Sequence, residues 1–175
     1  MAFNVKTALL KPALKLAMER SGHGRQLGID ITHVSGGHVR LAYSYDPQAV
    51  GNPLTGVIHG GVILSLLDMC CGCAAMTAMQ ELSIAPTIDL RLDYMQPAKP
   101  EKPVLASGNV YRTTSSVIFC RGSAWQDDED DPIAHCVATF MRLSAPQMSI
   151  GSVIRTGIQG LFLSLIHISE PTRLG

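Results

Sequence analysis

The sequence predicts an α+β fold in which a curved antiparallel sheet wraps one long apolar helix. Three observations lead there. The run from Gly60 to Met79 is apolar or small throughout except for one carboxylate, Asp68. Segments of alternating apolar and polar residues are grouped before and after that run, with no helices between them, which argues antiparallel strands rather than a parallel doubly wound sheet. Hydrophobic residues make up 46% of the chain and charged ones only 16%, a composition that buries heavily. A helix apolar nearly all round has to be covered on most sides, and a curled sheet does that.

Taken in order, Phe3 to Met18 reads as an amphipathic helix carrying Lys6, Lys11 and Lys15 and interrupted by Pro12. Leu27 to Val34 and Val39 to Tyr45 alternate as strands, and Gly36-Gly37 between them is a hairpin turn. A loop follows, marked by Pro47, Gly51, Pro53 and Gly56. The long helix starts at Gly60 and ends before Pro86. Its small residues Gly72, Cys73, Ala74 and Ala75 let a neighbour approach closely. Thr87 to Tyr94 (TIDLRLDY) alternates strictly, and Val104 to Tyr111 follows the break Pro97-Ala98-Lys99-Pro100. Val117 to Gln126 and Ile133 to Leu143 flank an acidic run, Asp127 to Asp131, which reads as a solvated hairpin tip rather than a cation site.

At 175 residues with a net charge of +0, the chain suits one domain (residues 1–145, core 27–143) followed by a tail over 146–175. Balanced charge gives no footprint for nucleic acid or anionic lipid. The five cysteines, three of them in Cys70, Cys71 and Cys73, are odd in number and follow no signal-peptide pattern, so reduced thiols in a cytoplasm are expected. No second Cys or His pair supplies zinc spacing, and no metal or cofactor is expected. The Gly60–Met79 run is long enough to cross a bilayer, but a central Asp68 would cost about 2.5–3.5 kcal/mol there. A buried helix without membrane contact is the reading.

HGGVILSLLD (His59 to Asp68) followed by TIDLRLDYMQP resembles the hotdog-fold acyl-CoA thioesterases, in the branch of phenylacetic-acid degradation related to the 4-hydroxybenzoyl-CoA thioesterases. The likeness spans residues 27–143 and rests on HGG, a carboxylate nine residues after the His, and D-x-x-x-D-Y-x-x-P, in that order. It implies a hotdog fold and hydrolysis of acyl-CoA to free acid and CoA without a cofactor. It also implies homodimers, or dimers of dimers, with active sites at the subunit interface. The tail differs: Leu163 to Arg173 (LSLIHISEPTR) looks like a translated sequencing adapter, which would leave His167 without a role.

Hydrolysis of a thioester needs an activated water or carboxylate at the carbonyl carbon and donors for the oxyanion. A helix N-terminus offers unpaired N–H groups and a positive dipole end, and Gly60 and Gly61 lie there. The resemblance assigns the polarising amide to Gly60 and the general base or nucleophile to Asp68. It places a water-orienting hydroxyl at Thr87 and an assisting polar side chain at Asn52, one residue further from His59 than the family pattern has it. His59 braces the loop on this reading, and Gly61 and Met69 border the substrate, with Met76 and Met95 as further acyl contacts. Arg91, Arg112, Thr114 and Ser115 are candidates for the CoA nucleotide. One point is geometric: eight helical residues put Gly60 and Asp68 about 12 Å apart along the axis. Two antiparallel helices about a two-fold axis would bring the two groups to one carbonyl. The alternatives are a hotdog hydratase or dehydratase, whose motif is not found here, and a non-catalytic acyl-CoA-binding module.

Overall fold

The computed structural model describes residues 5–79 and 83–143. Helix α1 (Val5–Arg20) continues through Pro12, past the expected interruption. Burial of Leu14 and Met18, both beyond the proline on the same helix, offsets the lost backbone bond. A short helix not anticipated from the sequence, α2 (Gly22–Leu27), is opened by Ser21, whose Oγ accepts from the Gly24 amide, and closed by Gly28 at φ +63°. This delays the first strand to β1 (Ile29–Ser35). Strand β2 (His38–Tyr43) returns across Gly36-Gly37, with Gly37 at φ +79°.

Between β2 and the long helix the loop forms a single turn of 3-10 helix (Pro47–Ala49) and a small ribbon, β3 (Val50–Asn52) with β4 (Val57–Ile58). Neither is legible by alternation, because each is too short to show a period. Helix α3 (Gly60–Ala78) follows and stops sooner than expected. The Thr77 hydroxyl donates to the Ala74 carbonyl and accepts the Gly37 amide, tying the last turn to the first hairpin.

Strands β5 (Thr87–Tyr94), β6 (Val104–Thr113), β7 (Val117–Trp125) and β8 (Ala134–Met141) complete a six-stranded antiparallel sheet in the order β1-β2-β6-β7-β8-β5. One face closes around α3. Val39, Leu41, Ile118, Ala138 and Phe140 point inward, and Leu66, Leu67, Cys70 and Ala74 meet them from the helix. Gly108 of β6 and Gly122 of β7 are direct cross-strand partners where the helix crosses. A Cβ on Gly108 would lie 2.8 Å from the Cys70 carbonyl oxygen, and one on Gly122 would lie 2.9 Å from Cys71 Sγ. Here the backbone approaches too closely for any side chain.

Helix α3 is long and apolar enough to cross a membrane by length and composition, yet Leu66, Leu67, Cys70 and Ala74 are buried in the core. The acidic run is the hairpin tip that was expected. Asp127 is fastened there by Lys99 and Lys102 at 2.9 and 2.7 Å, and among the described residues no cluster suits a metal. Residues 144–175, with the expected tail and its adapter-like end, lie outside the described residues.

Candidate active site

Asp68 projects from the third turn of α3 and is half-buried rather than enclosed. Thr87 opens β5, and its Oγ1 donates to Asp68 Oδ1 at 2.9 Å. Among the described residues no donor engages Oδ2. The threonine oxygen keeps its lone pairs, so the two side chains offer a water one acceptor each. Both line an apolar cavity of about 220 Å³ that Met69, Gly72 and Phe140 border.

At the start of the same helix, His59 is the N-cap, and its Nδ1 accepts the Gly61 amide at 2.9 Å. With Nδ1 committed as acceptor, the neutral ring carries its hydrogen on Nε2 and has no lone pair left for a base. The His59 amide donates to the Ala49 carbonyl, so this residue braces the loop. Gly61 is satisfied by the cap, whereas the Gly60 amide, at the first helical position, has no intrahelical partner. Tyr94, from the end of β5, donates its hydroxyl to the Gly60 carbonyl at 2.7 Å. Its ring lies where a Cβ on Gly60 would come within 3.1 Å of Cζ. Gly60 and Tyr94 border a second cavity of about 320 Å³, shared with Ile63 and Met95.

The two cavities have no lining residue in common. One chain therefore keeps its free helix-terminal amide apart from its carboxylate, as the spacing required. Met69 and Met76 belong with Asp68, and Met95 belongs with Gly60. Asn52 is exposed at the end of β3. Its Oδ1 accepts the Leu54 amide at 3.0 Å, leaving the side-chain N–H groups without a partner among the described residues.

The nucleotide candidates are not brought together. Arg91 lies in mid-β5 and is held by Asp93 at 3.1 Å, and Arg112 stands exposed on β6. The Thr114 hydroxyl is spent on Val117 within the β6–β7 turn, and Ser115 pairs with Ser116 there. Two contacts around these candidates escaped the sequence reading. Tyr94 is visible inside the D-x-x-x-D-Y motif, but its contact with Gly60 spans 34 residues. Arg142, whose Nη1 donates to the Thr114 carbonyl, gives no signal in sequence at all. The cysteines are free and buried. Burial, and behind it the charge of Asp68, pushes the Cys73 thiol up to about 12, so the nearest thiol is no nucleophile.

Comparison with known proteins identifies the family. Residues 55–133 match the model of the thioesterase superfamily. The medium/long-chain acyl-CoA thioesterase YigI of Escherichia coli is 32% identical over 130 residues, covering 67% of this chain and 83% of that protein. A crystal structure from Pseudomonas aeruginosa is 41% identical, with a TM-score of 0.70 over 77% of this chain and 99% of the other. The PaaI protein of the E. coli phenylacetic acid degradation operon shares the fold at 16% identity, with a TM-score of 0.70 over 79% and 96% of the two chains. With that relative and those folds, this chain is a hotdog-fold member of the thioesterase superfamily.

Proposed function

We propose that this chain hydrolyses acyl-CoA thioesters, with Asp68 as general base or nucleophile and the Gly60 amide of a second subunit as oxyanion donor. The observation that carries the reading is the Thr87–Asp68 hydrogen bond at 2.9 Å on the wall of an apolar cavity. The similarity to YigI supports acyl-CoA as the substrate class. In the general-base form, Thr87 holds one carboxylate oxygen and positions a water, and the other oxygen takes the water's proton as it attacks the thioester carbonyl. Charge then develops on the carbonyl oxygen, and a free amide at a helix N-terminus meets it. Collapse of the tetrahedral intermediate expels the CoA thiolate. His59 and Tyr94 act on the helix start rather than on substrate, His59 by accepting the Gly61 amide and Tyr94 by holding the Gly60 carbonyl. Asn52, with its free amide hydrogens, assists at the same end.

The separation of the two cavities supports a two-fold dimer in which α3 helices run antiparallel. Strand β5 supports it as well: it is an eight-residue edge strand with most of its residues exposed, and such an edge is a template for pairing with a second chain. A cytoplasmic setting fits five free cysteines. The test is CoA release, read by a thiol reagent, across a panel of acyl-CoAs. Asp68→Asn should lower kcat by at least about 10²-fold while the protein stays folded. Enoyl hydration without release would mean a hydratase, binding without turnover an acyl-CoA-binding module, and full turnover by Asp68→Asn would remove the carboxylate from the chemistry.

A further inference from the structure

The cavity beside Asp68 is framed by two matching helical stripes. On α3 the bordering residues are Met69, Gly72, Cys73 and Met76, spaced i, i+3, i+4, i+7. On α1 they are Leu14, Ala17 and Met18, and Ser21, which joins α1 to α2, continues the same spacing. Each set occupies one face of its helix, so the cavity is a channel between two helices. It begins at the carboxylate and extends to Met76, eight residues on, or about 12 Å along the axis. Its polar groups, Asp68, Thr87 and Ser21, are followed along both helices by methyl, thioether and methylene surface. Helix α1 lies outside residues 55–133 that match the family model, so this wall comes from the chain's own N-terminal segment.

We infer that α1 and α3 together form the acyl-chain channel and select unbranched aliphatic acyl groups; the inference rests on the thioesterase reading above. A channel that is long in one direction matches an extended methylene chain. Unbranched thioether side chains adapt to such a chain along its length. A hydroxylated aromatic acyl group would find no hydrogen-bond partner at the Met76 end among the residues that line it. Each methylene taken from water into the channel should raise kcat/KM about fourfold, until the chain reaches the end of the channel and the gain stops.

The experiment measures CoA release by the full chain from saturated acyl-CoAs of short, medium and long chain, with phenylacetyl-CoA and 4-hydroxybenzoyl-CoA alongside. Ala17→Phe narrows the channel from α1, and Met76→Phe narrows it from the far end of α3. The expected result is a kcat/KM that rises with chain length, together with a long-to-short ratio that falls at least about tenfold in either variant. Thermal melting identifies folded variants, and Ala17→Val replaces Ala17→Phe under the same criterion if the larger residue prevents folding. A ratio unchanged in folded variants from both helices, or a preference for the aromatic thioesters, overturns the channel and leaves the hydrolase intact. No release from any thioester overturns the hydrolase reading, and the channel falls with it.

Discussion

Asp68 is the residue on which both the sequence and the structure converge, but they locate it differently. As a sequence it is a charge inside a buried helix. In the fold the helix face at position 68 opens on a cavity, and Thr87 satisfies one carboxylate oxygen. The motif made Thr87 legible as a candidate, and the structure supplies its direct contact. That hydroxyl should matter less than the acid. Thr87→Val keeps the shape and removes one hydrogen bond to a charged group, worth about 1.5–3 kcal/mol. The expected result is a kcat roughly ten- to a hundredfold lower with KM little changed, measured beside Asp68→Asn; a loss equal to that of Asp68→Asn would place Thr87 in the chemistry itself. His59 shows the converse limit of sequence. A histidine at the start of the helix that carries Asp68 invites a base assignment, and only the bond from the Gly61 amide shows its lone pair already in use.

At the scale of elements, periodicity carried most of the fold. All six strands of the main sheet and the central helix are found where alternation or an unbroken apolar run demanded them, Thr87–Tyr94 to the residue. What was missed was short or non-periodic: α2, set by a serine cap and a left-handed glycine, and the β3–β4 ribbon of two and three residues. The cavity was also illegible, because it lies between helices whose nearest ends, Arg20 and Gly60, are far apart in sequence. The helix–sheet contact is best tested at its closest point. A methyl group on Gly108 meets helix backbone, with Cys70 O at 2.8 Å and Cys71 N at 2.9 Å. Backbone cannot rotate away, so Gly108→Ala should destabilise the fold by about 1–3 kcal/mol. Gly72→Ala is the control, since its new methyl group would lie 3.4 Å from Phe140 Cε1 and alanine improves helix propensity. Urea midpoints should fall for the first and hold or rise for the second. Equal midpoints would show that α3 is not seated on that glycine.

For the whole molecule the decisive question is which chain supplies which group. If Gly60 of one subunit serves the same carbonyl as Asp68 of its partner, two inactive variants should rescue each other. Gly60→Pro removes the donor at a helical position that tolerates proline, and its ring presses on Tyr94 at 3.0 Å, so that site is lost. Asp68→Asn removes the acid. Co-refolding equal amounts makes about half the dimers mixed, each with one doubly damaged and one intact site. Roughly a quarter of wild-type activity should return, and a mixture that stays inactive while mass spectrometry shows mixed dimers would place both groups in one chain. The facing glycines at 108 and 122 acquire a second meaning in such a dimer. They fix how far each helix slides along its own axis. The two helices run in opposite directions, so a slip in both subunits moves donor and acid apart by twice its amount. A half-ångström error at each glycine seat would become about 1 Å between the reacting groups, a misplacement that costs about a hundredfold in rate. Two residues with no side chain, well away from the reacting carbonyl, thereby act as the gauge against which the active site is set.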